Sequence, residues 1–227
     1  MEFGSFMEFP PVASAIAART KRIKIGIAVQ VLPLSHPLRL AEEAATIDQI
    51  SHGRLIYGIG RSGVVRTYED YGISYAESRE RFAETLEILK LAWTEPAFSY
   101  TGKYHSFSNV SATAKPWQKP YPELRMAAAT PETFPQIGAL GLPIFVAVRQ
   151  GPFSQLAEHI KAYRAAYAAA GHPGRGRVFL RVPAYLAETR ERARAEAKES
   201  LMGFFAYQAE LGRDSARRAE SRPSSAW

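Results

Sequence analysis

Along the chain, apolar positions switch repeatedly between strict alternation and the helical period, the mark of strands exchanged with helices. The clearest case runs from Lys24 to Gly63, KIGIAVQVLPLSHPLRLAEEAATIDQISHGRLIYGIGRSG. Ile25, Ile27, Val29 and Val31 alternate in a β-branched run that ends at Pro33, which predicts a strand. Ser35 is placed to cap a helix with Pro37 in its first turn, where a missing N–H costs nothing. Leu38, Ala41, Ala45 and Ile47 or Asp48 keep the helical period until His52-Gly53 ends it. Leu55-Ile56-Tyr57 starts a second strand, expected to break into a turn at Gly58-Ile59-Gly60-Arg61-Ser62-Gly63. Strand, helix and strand predict a right-handed βαβ unit with parallel neighbouring strands. Ligands of such units bind beyond the carboxyl ends of the strands, here Ala28 to Pro33 and Gly60 to Gly63.

The same alternation continues on both sides. Met1 to Phe9 reads as a short first strand and Val12 to Thr20 as an alanine-rich helix with basic residues at its end. Val64 to Tyr71 has no period and is expected as a loop. Ser74 to Glu77 has the form of a capping box, and Arg79 to Trp93 follows as a helix with Phe82, Leu86, Leu89 and Trp93 on one side. Phe98 to Val110 reads as a hairpin outside the main sheet, and Lys115 to Pro122, with three prolines, as a connector. Leu124 to Ala129 is a strand of small residues; Thr130-Pro131-Glu132-Thr133 opens the next helix, with Thr130 as its cap. Pro143 to Val148 is a strand, Phe153 to Ala170 a helix, Val178 to Ala187 a strand and Thr189 to about Leu211 a long charged helix. Residues 213–227 are expected to fray, and no repeat or linker divides residues 1–227 into domains. The fold class is α/β: a mostly parallel sheet with helices outside, as a barrel or a doubly wound sheet. About six strands fall short of a closed eight-stranded barrel of about 250 residues.

Charge and composition change this picture little. The net charge of +7 comes largely from Arg175, Arg177 and Arg181 and from the stretch between Arg190 and Arg222. In the second group Glu188, Glu191, Glu196 and Glu199 interleave with the arginines, a solvated helix face rather than a nucleic-acid surface. With no cysteine there is no disulfide, thiolate metal site or cysteine nucleophile. No long apolar run or secretory signal is present, so a cytoplasmic protein is expected, with neither nucleic acid nor membrane as partner.

Two candidate sites lie past strand ends. Gly58 to Gly63 satisfies G-x-G-x-x-G, but a dinucleotide turn needs a helix to open within the motif, and VVRTYEDYG follows instead. In the alternative reading Arg61 is a cation on the loop, suited to a phosphate or a polarised ring edge; a solvated loop arginine fits equally. Thr130 and Thr133 offer hydroxyls and backbone N–H groups after a strand, an anion site or a plain helix cap. No histidines have metal spacing, so no metal ligand and no catalytic residue is assigned.

IGIAVQVLPLSHPLRLAEEAATIDQISHGRLIYGIGRS and AATPETFPQIGALGLPIF resemble the bacterial-luciferase-like flavin-dependent monooxygenases, a similarity that runs from about Val12 to about Ser200. The resemblance implies a TIM-like (β/α) barrel that binds reduced FMN, or in some branches F420, and oxidises a small organic substrate with O2. Members are often dimers, so a homo-oligomer is expected. By position, Ala28 would pack its backbone against the flavin ring, Arg61 would hold the flavin phosphate, and Thr130 and Thr133 would bind the same phosphate. Gly60 stands where luciferase itself has a reactive cysteine, so light emission is not implied. The family's first helix and second strand, and the C-terminal end of its barrel, have no counterpart here, which implies a shortened barrel. Two other readings stand beside this one: a non-catalytic flavin-fold remnant or partner subunit, and an NAD(P)-dependent dehydrogenase built on the Gly58–Gly63 turn.

Overall fold

A computed structural model of the chain describes residues 9–147 and 153–220. Strands β1 (Ile25–Val31), β2 (Leu55–Gly60), β5 (Glu123–Ala128), β6 (Ile144–Ala147) and β7 (Val178–Arg181) form one five-stranded sheet in the order β1-β2-β5-β6-β7. Every pairing in it is parallel. Strands β3 (Phe98–Thr101) and β4 (Ser106–Val110) make a separate antiparallel hairpin, as their aromatic and polar pattern predicts.

The helices decide between the two sheet architectures. Helices α1 (Phe9–Arg19), α2 (Pro37–Ser51) and α4 (Ser78–Thr94) share one apolar cluster with Ile25, Ile27, Leu55, Tyr57, Ile59 and Leu124. Helices α5 (Thr133–Ala139) and α6 (Phe153–Ala169) share a second with Ala128, Ile144 and Val146. Side chains alternate across a strand, so these residues define one face of the sheet and it carries the helices. The opposite face is lined by Ile56, Gly58, Gly60, Arg125, Ala127, Phe145 and Phe179. The helices that pack on the sheet, α1, α2, α4, α5 and α6, all lie on one face, which makes this a barrel wall rather than a doubly wound sheet, and among the described residues the sheet is not closed.

Several local expectations are corrected. Val64 to Tyr71 is not a loop: Val65–Asp70 is a helix, α3. Its form comes from tertiary contacts, since α7 (Arg190–Glu220) packs its last turns against it, Val65 N–H donating to Ser215 Oγ at 3.4 Å and Arg218 pairing with Glu69. The expected fraying from residue 213 gives way to helix as far as Glu220; residues 221–227 lie outside the described residues. Ser35 does not cap α2; His36 holds that position without a side-chain bond. Ser74 makes no capping bond, and Glu77 pairs with Arg81 at 2.8 Å instead. Strand β7 ends at Arg181 rather than Ala187. The first strand expected before Phe9 and the end of β6 at Val148 lie outside the described residues, and Phe9 itself begins α1.

The hairpin is fixed to α4 by one carboxylate. Glu84, buried on α4, accepts the backbone N–H groups of Lys103, Tyr104 and His105 at 2.7–3.2 Å. A Cβ on Gly102 would meet Glu84 Oε1 at 2.3 Å, so the turn closes over the carboxylate only with glycine there.

Candidate functional site

The candidate site lies at the carboxyl ends of β1, β2 and β5, and glycines bring those ends together. In β1 the pairing slips between Ile27 and Gln30, so Ala28 and Val29 bulge from the ladder; the Ala28–Val29 peptide is cis. A Cβ on Gly58 would come within 2.0 Å of the Ile27 carbonyl oxygen, and one on Gly60 within 2.5 Å of Val29 Cγ2. These two glycines belong to β2 itself, not to a turn that cradles a phosphate, which corrects the expected break after Tyr57. Only backbone without side chains fits beside the bulge. Gly63, the motif's last glycine, faces open space. Ala28 therefore sits on the bulge beside β2.

Arg61 follows directly on β2. Its carbonyl accepts the hydroxyl of Tyr68 on α3, and its Nη1 donates to Ser78 Oγ at 2.9 Å. The guanidinium also lies 5.2 Å from the centre of the Tyr75 ring. Tyr68 is fully buried, and that burial pushes its hydroxyl pKa far up, so it stays a proton donor. The loop is held at the Arg61 backbone, while Nε and Nη2 of the guanidinium donate to no described residue.

Strand β5 carries the second candidate pair to the neighbouring strand end. Ile59 stands opposite Met126, after which β2 ends at Gly60, just before Arg61, and β5 at Ala128, two residues before Thr130. The helix starts at Thr133 rather than beside Thr130, and Glu132 occupies the capping position. Thr133 Oγ1 donates to the Thr130 carbonyl at 2.7 Å and accepts the N–H groups of Ala129 and Thr130 at 3.3 Å. Thr130 is thus no cap. The Glu132 pKa is lowered first by its own backbone N–H and then by Thr130, with smaller contributions from Arg79 and His159. Arg79, second residue of α4, adds its charge to the field at Glu132, while its neighbour Ser78 touches Arg61. Neither stands among the site residues expected from the sequence, where Arg79 only opens the helix. The helical period draws attention to apolar positions, and both lie on the first turn of α4.

The histidines remain scattered, and among the described residues no group of three or more His, Asp or Glu side chains has metal geometry. His36 and His105 do meet edge to face, with ring centres 5.8 Å apart, and His105 stacks on Phe107.

The fold and the clustered groups define a (β/α)-barrel protein whose ligand end is the carboxyl edge of its sheet. Residues 1–226 match the model of the luciferase-like monooxygenases, and the chain belongs to that family. The crystal structure of monooxygenase RslO1 from Streptomyces bottropensis is 30% identical, with a TM-score of 0.82 over 92% of this chain and 65% of that one. The alkanal monooxygenase alpha chain of Photobacterium leiognathi is 30% identical over 172 residues, 75% of this chain and 48% of its own. The oxygenase component of the flavin-dependent trigonelline monooxygenase of Acinetobacter baylyi is 32% identical over 120 residues, 52% of this chain and 33% of its own. Two less similar structures share the fold. One is the oxygenating constituent of Pseudomonas putida 3,6-diketocamphane monooxygenase in complex with FMN (23% identity, TM-score 0.77, 96% of this chain and 66% of that one). The other is an F420-dependent secondary alcohol dehydrogenase with an F420–acetone adduct (17%, 0.66, 77% and 53%). The chain spans about a third to a half of the length of the curated relatives it matches. No helix of the described residues is long and apolar enough to cross a membrane.

Proposed function

We propose that this chain is the flavin-binding part of a luciferase-like monooxygenase that takes reduced FMN and O2 and acts on a small organic substrate. The observation that carries the reading is Arg61: a guanidinium at the strand ends, anchored by Ser78 and Tyr75, with Nε and Nη2 unused by any described residue. A phosphate is the natural partner of such a fork. Thr130 and Thr133 lie past the end of β5, the strand beside β2, so one cation and two hydroxyls stand at neighbouring strand ends where the phosphate would bind. One group there opposes it. The Glu132 carboxylate, its pKa lowered by its own backbone N–H and then by Thr130, is a negative charge close to where the phosphate would bind.

The ring fits as well as the phosphate. Ala28 stands on the bulge at the barrel mouth, and beside it Gly58 and Gly60 give up their side-chain space to the Ile27 carbonyl, Val29 and Phe145, a mostly apolar wall against which a flat heterocycle can lie. Reduced flavin, when bound, supplies the electrons that activate O2; the protein positions the ring and substrate and excludes water. A homo-oligomer belongs to the same reading. Among the described residues β1 and β7 each have one sheet neighbour, and Leu180, Val182 and Met202 are exposed near or on the β7 side of the chain.

The test is a titration of the purified chain with FMN, reduced FMN, F420 and NADPH. FMN in either redox state should bind, and more tightly than NADPH. Binding of F420 alone would move the chain to the deazaflavin branch. Absence of flavin binding at any attainable concentration would leave a non-catalytic remnant, and tight NADPH binding alone would restore the dehydrogenase.

A further inference from the structure

The helix-free face of the sheet holds a charge that the flavin reading does not use. Arg125, in the middle of β5 beside Gly58, is 9% exposed. Its guanidinium lies over Phe179, with its Cζ 3.3 Å from the ring centre, and 5.3 Å from that of Phe145. Its Nε donates to Glu123 Oε1 at 2.8 Å, and the same oxygen takes Arg177 Nη2 at 3.1 Å. Two guanidiniums thus share one carboxylate, which leaves one positive charge uncompensated. Nη1 and Nη2 of Arg125 donate to no described residue. Those two nitrogens are not among the buried polar atoms without a partner, so they are open positions where a planar anion can accept two parallel N–H bonds. Stacking on two aromatic rings holds the fork rigid, so little entropy is lost when it is used.

The surroundings suit the body of a small molecule. Ile56, Phe145, Phe179 and Ala127 are apolar, and Phe145 and Phe179 meet edge to face with centres 6.0 Å apart. Gly58 is obliged to lack a side chain partly by Phe145, whose ring would lie 2.7 Å from its Cβ. This surface continues up the same face to Gly60 and Ala127, where the flavin ring is placed above.

We propose that Arg125 is the anion-recognising group of the substrate pocket, and that the substrate is a small carboxylate with a planar apolar body, its carboxylate on Nη1 and Nη2 and its body against Phe145 and Phe179. The assignment rests on the flavin reading for the word substrate, but binding of the carboxylate does not depend on flavin.

The experiment measures benzoate and its neutral counterpart benzamide binding to the full chain without flavin, by calorimetry or ligand-observed NMR. Benzoate should bind at least tenfold more tightly than benzamide. Arg125→Lys keeps the charge and the Glu123 pair but loses the fork, and should weaken benzoate at least tenfold while benzamide is unchanged. Arg125→Gln should abolish the preference; if that variant fails to fold, the lysine variant carries the test. Equal binding of benzoate and benzamide, no benzoate binding, or a lysine variant that binds benzoate like the parent would each overturn the proposal. The last result would reduce Arg125 to a structural member of the Glu123–Arg177 network. FMN titrated separately keeps the two readings distinct: loss of flavin binding with retained benzoate preference would sink only the flavin assignment.

Discussion

The carbonyl oxygen of Ile27 fills the space that a methyl group on Gly58 would need, at 2.0 Å from the Cβ position. The obstruction is backbone on one side and a phenylalanine ring on the other, so neither can yield cheaply. Gly58→Ala is expected to cost about 3–5 kcal/mol in urea unfolding, in the tail reserved for steric overlap. Gly63→Ala, which meets nothing within 4 Å, should stay within about 0.5 kcal/mol. A dinucleotide turn would predict a different pattern, with all three glycines needed for the ligand. Equal tolerance at both positions would mean that β1 and β2 do not approach as described.

Gly58 and Gly60 also show what could and could not be read from the sequence. Their spacing was visible, but the reason for it lies in the Ile27 carbonyl and Val29 on another strand. The order of strands and helices was legible because Ile25, Ile27, Leu55 and Tyr57, and then Phe82, Leu86 and Leu89, bury themselves at the periods of their elements. Helix α3 was not legible, since its six residues are fixed by Tyr68 reaching the Arg61 carbonyl and by α7 from the far end of the chain. Caps failed at Ser35, Ser74 and Thr130 because α2 opens at His36, α5 opens at Glu132, and none of the three entrances carries a side-chain capping bond. Within the candidate site Arg61, Thr130 and Thr133 were found through the strand ends. Ser78, Arg79 and Arg125 were missed because a polar residue inside a helix or strand gives no local sign of the face it serves.

Arg61 should matter to the phosphate and not to the ring. Riboflavin lacks the phosphate, so the ratio of FMN to riboflavin affinity isolates that contact. Arg61→Ala is expected to weaken FMN by about 1.5–3 kcal/mol, the loss of a charge-assisted hydrogen bond, and to leave riboflavin within twofold. A parallel loss of both would make Arg61 a loop anchor, acting through Ser78 and Tyr75.

Glu132 should act in the opposite direction. Its carboxylate is held ionised by its own N–H and by Thr130, so it stands as a negative charge where a phosphate is to bind. Glu132→Gln is expected to tighten FMN roughly two- to fivefold, the size of an exposed charge–charge contact, without changing riboflavin. The gain should shrink in high salt, which screens exposed charges. Weaker FMN binding by the glutamine variant would show that Glu132 orders the loop for the ligand instead of competing with it.

The hairpin turn carries a pH dependence whose sign follows from His105. Burial lowers the pKa of its ring, with His36 and Arg81 adding to the effect and Glu84 opposing it. An unfolded histidine takes up its proton near about pH 6.5, so on acidification the unfolded chain binds the proton before the folded one does. Stability from His105 is therefore present above the unfolded pKa and lost as the pH falls toward the folded value. Thermal melts of the parent and His105→Gln between pH 7.5 and 5.5 isolate this, because Glu84, His36, Arg81 and the Lys103–Glu80 pair remain in both proteins. The advantage of the parent over the variant should shrink as the pH falls, then level off once the folded ring is itself protonated. A constant difference would mean that the ring has its ordinary pKa in the fold; a growing one would mean that the protonated ring is held by Glu84.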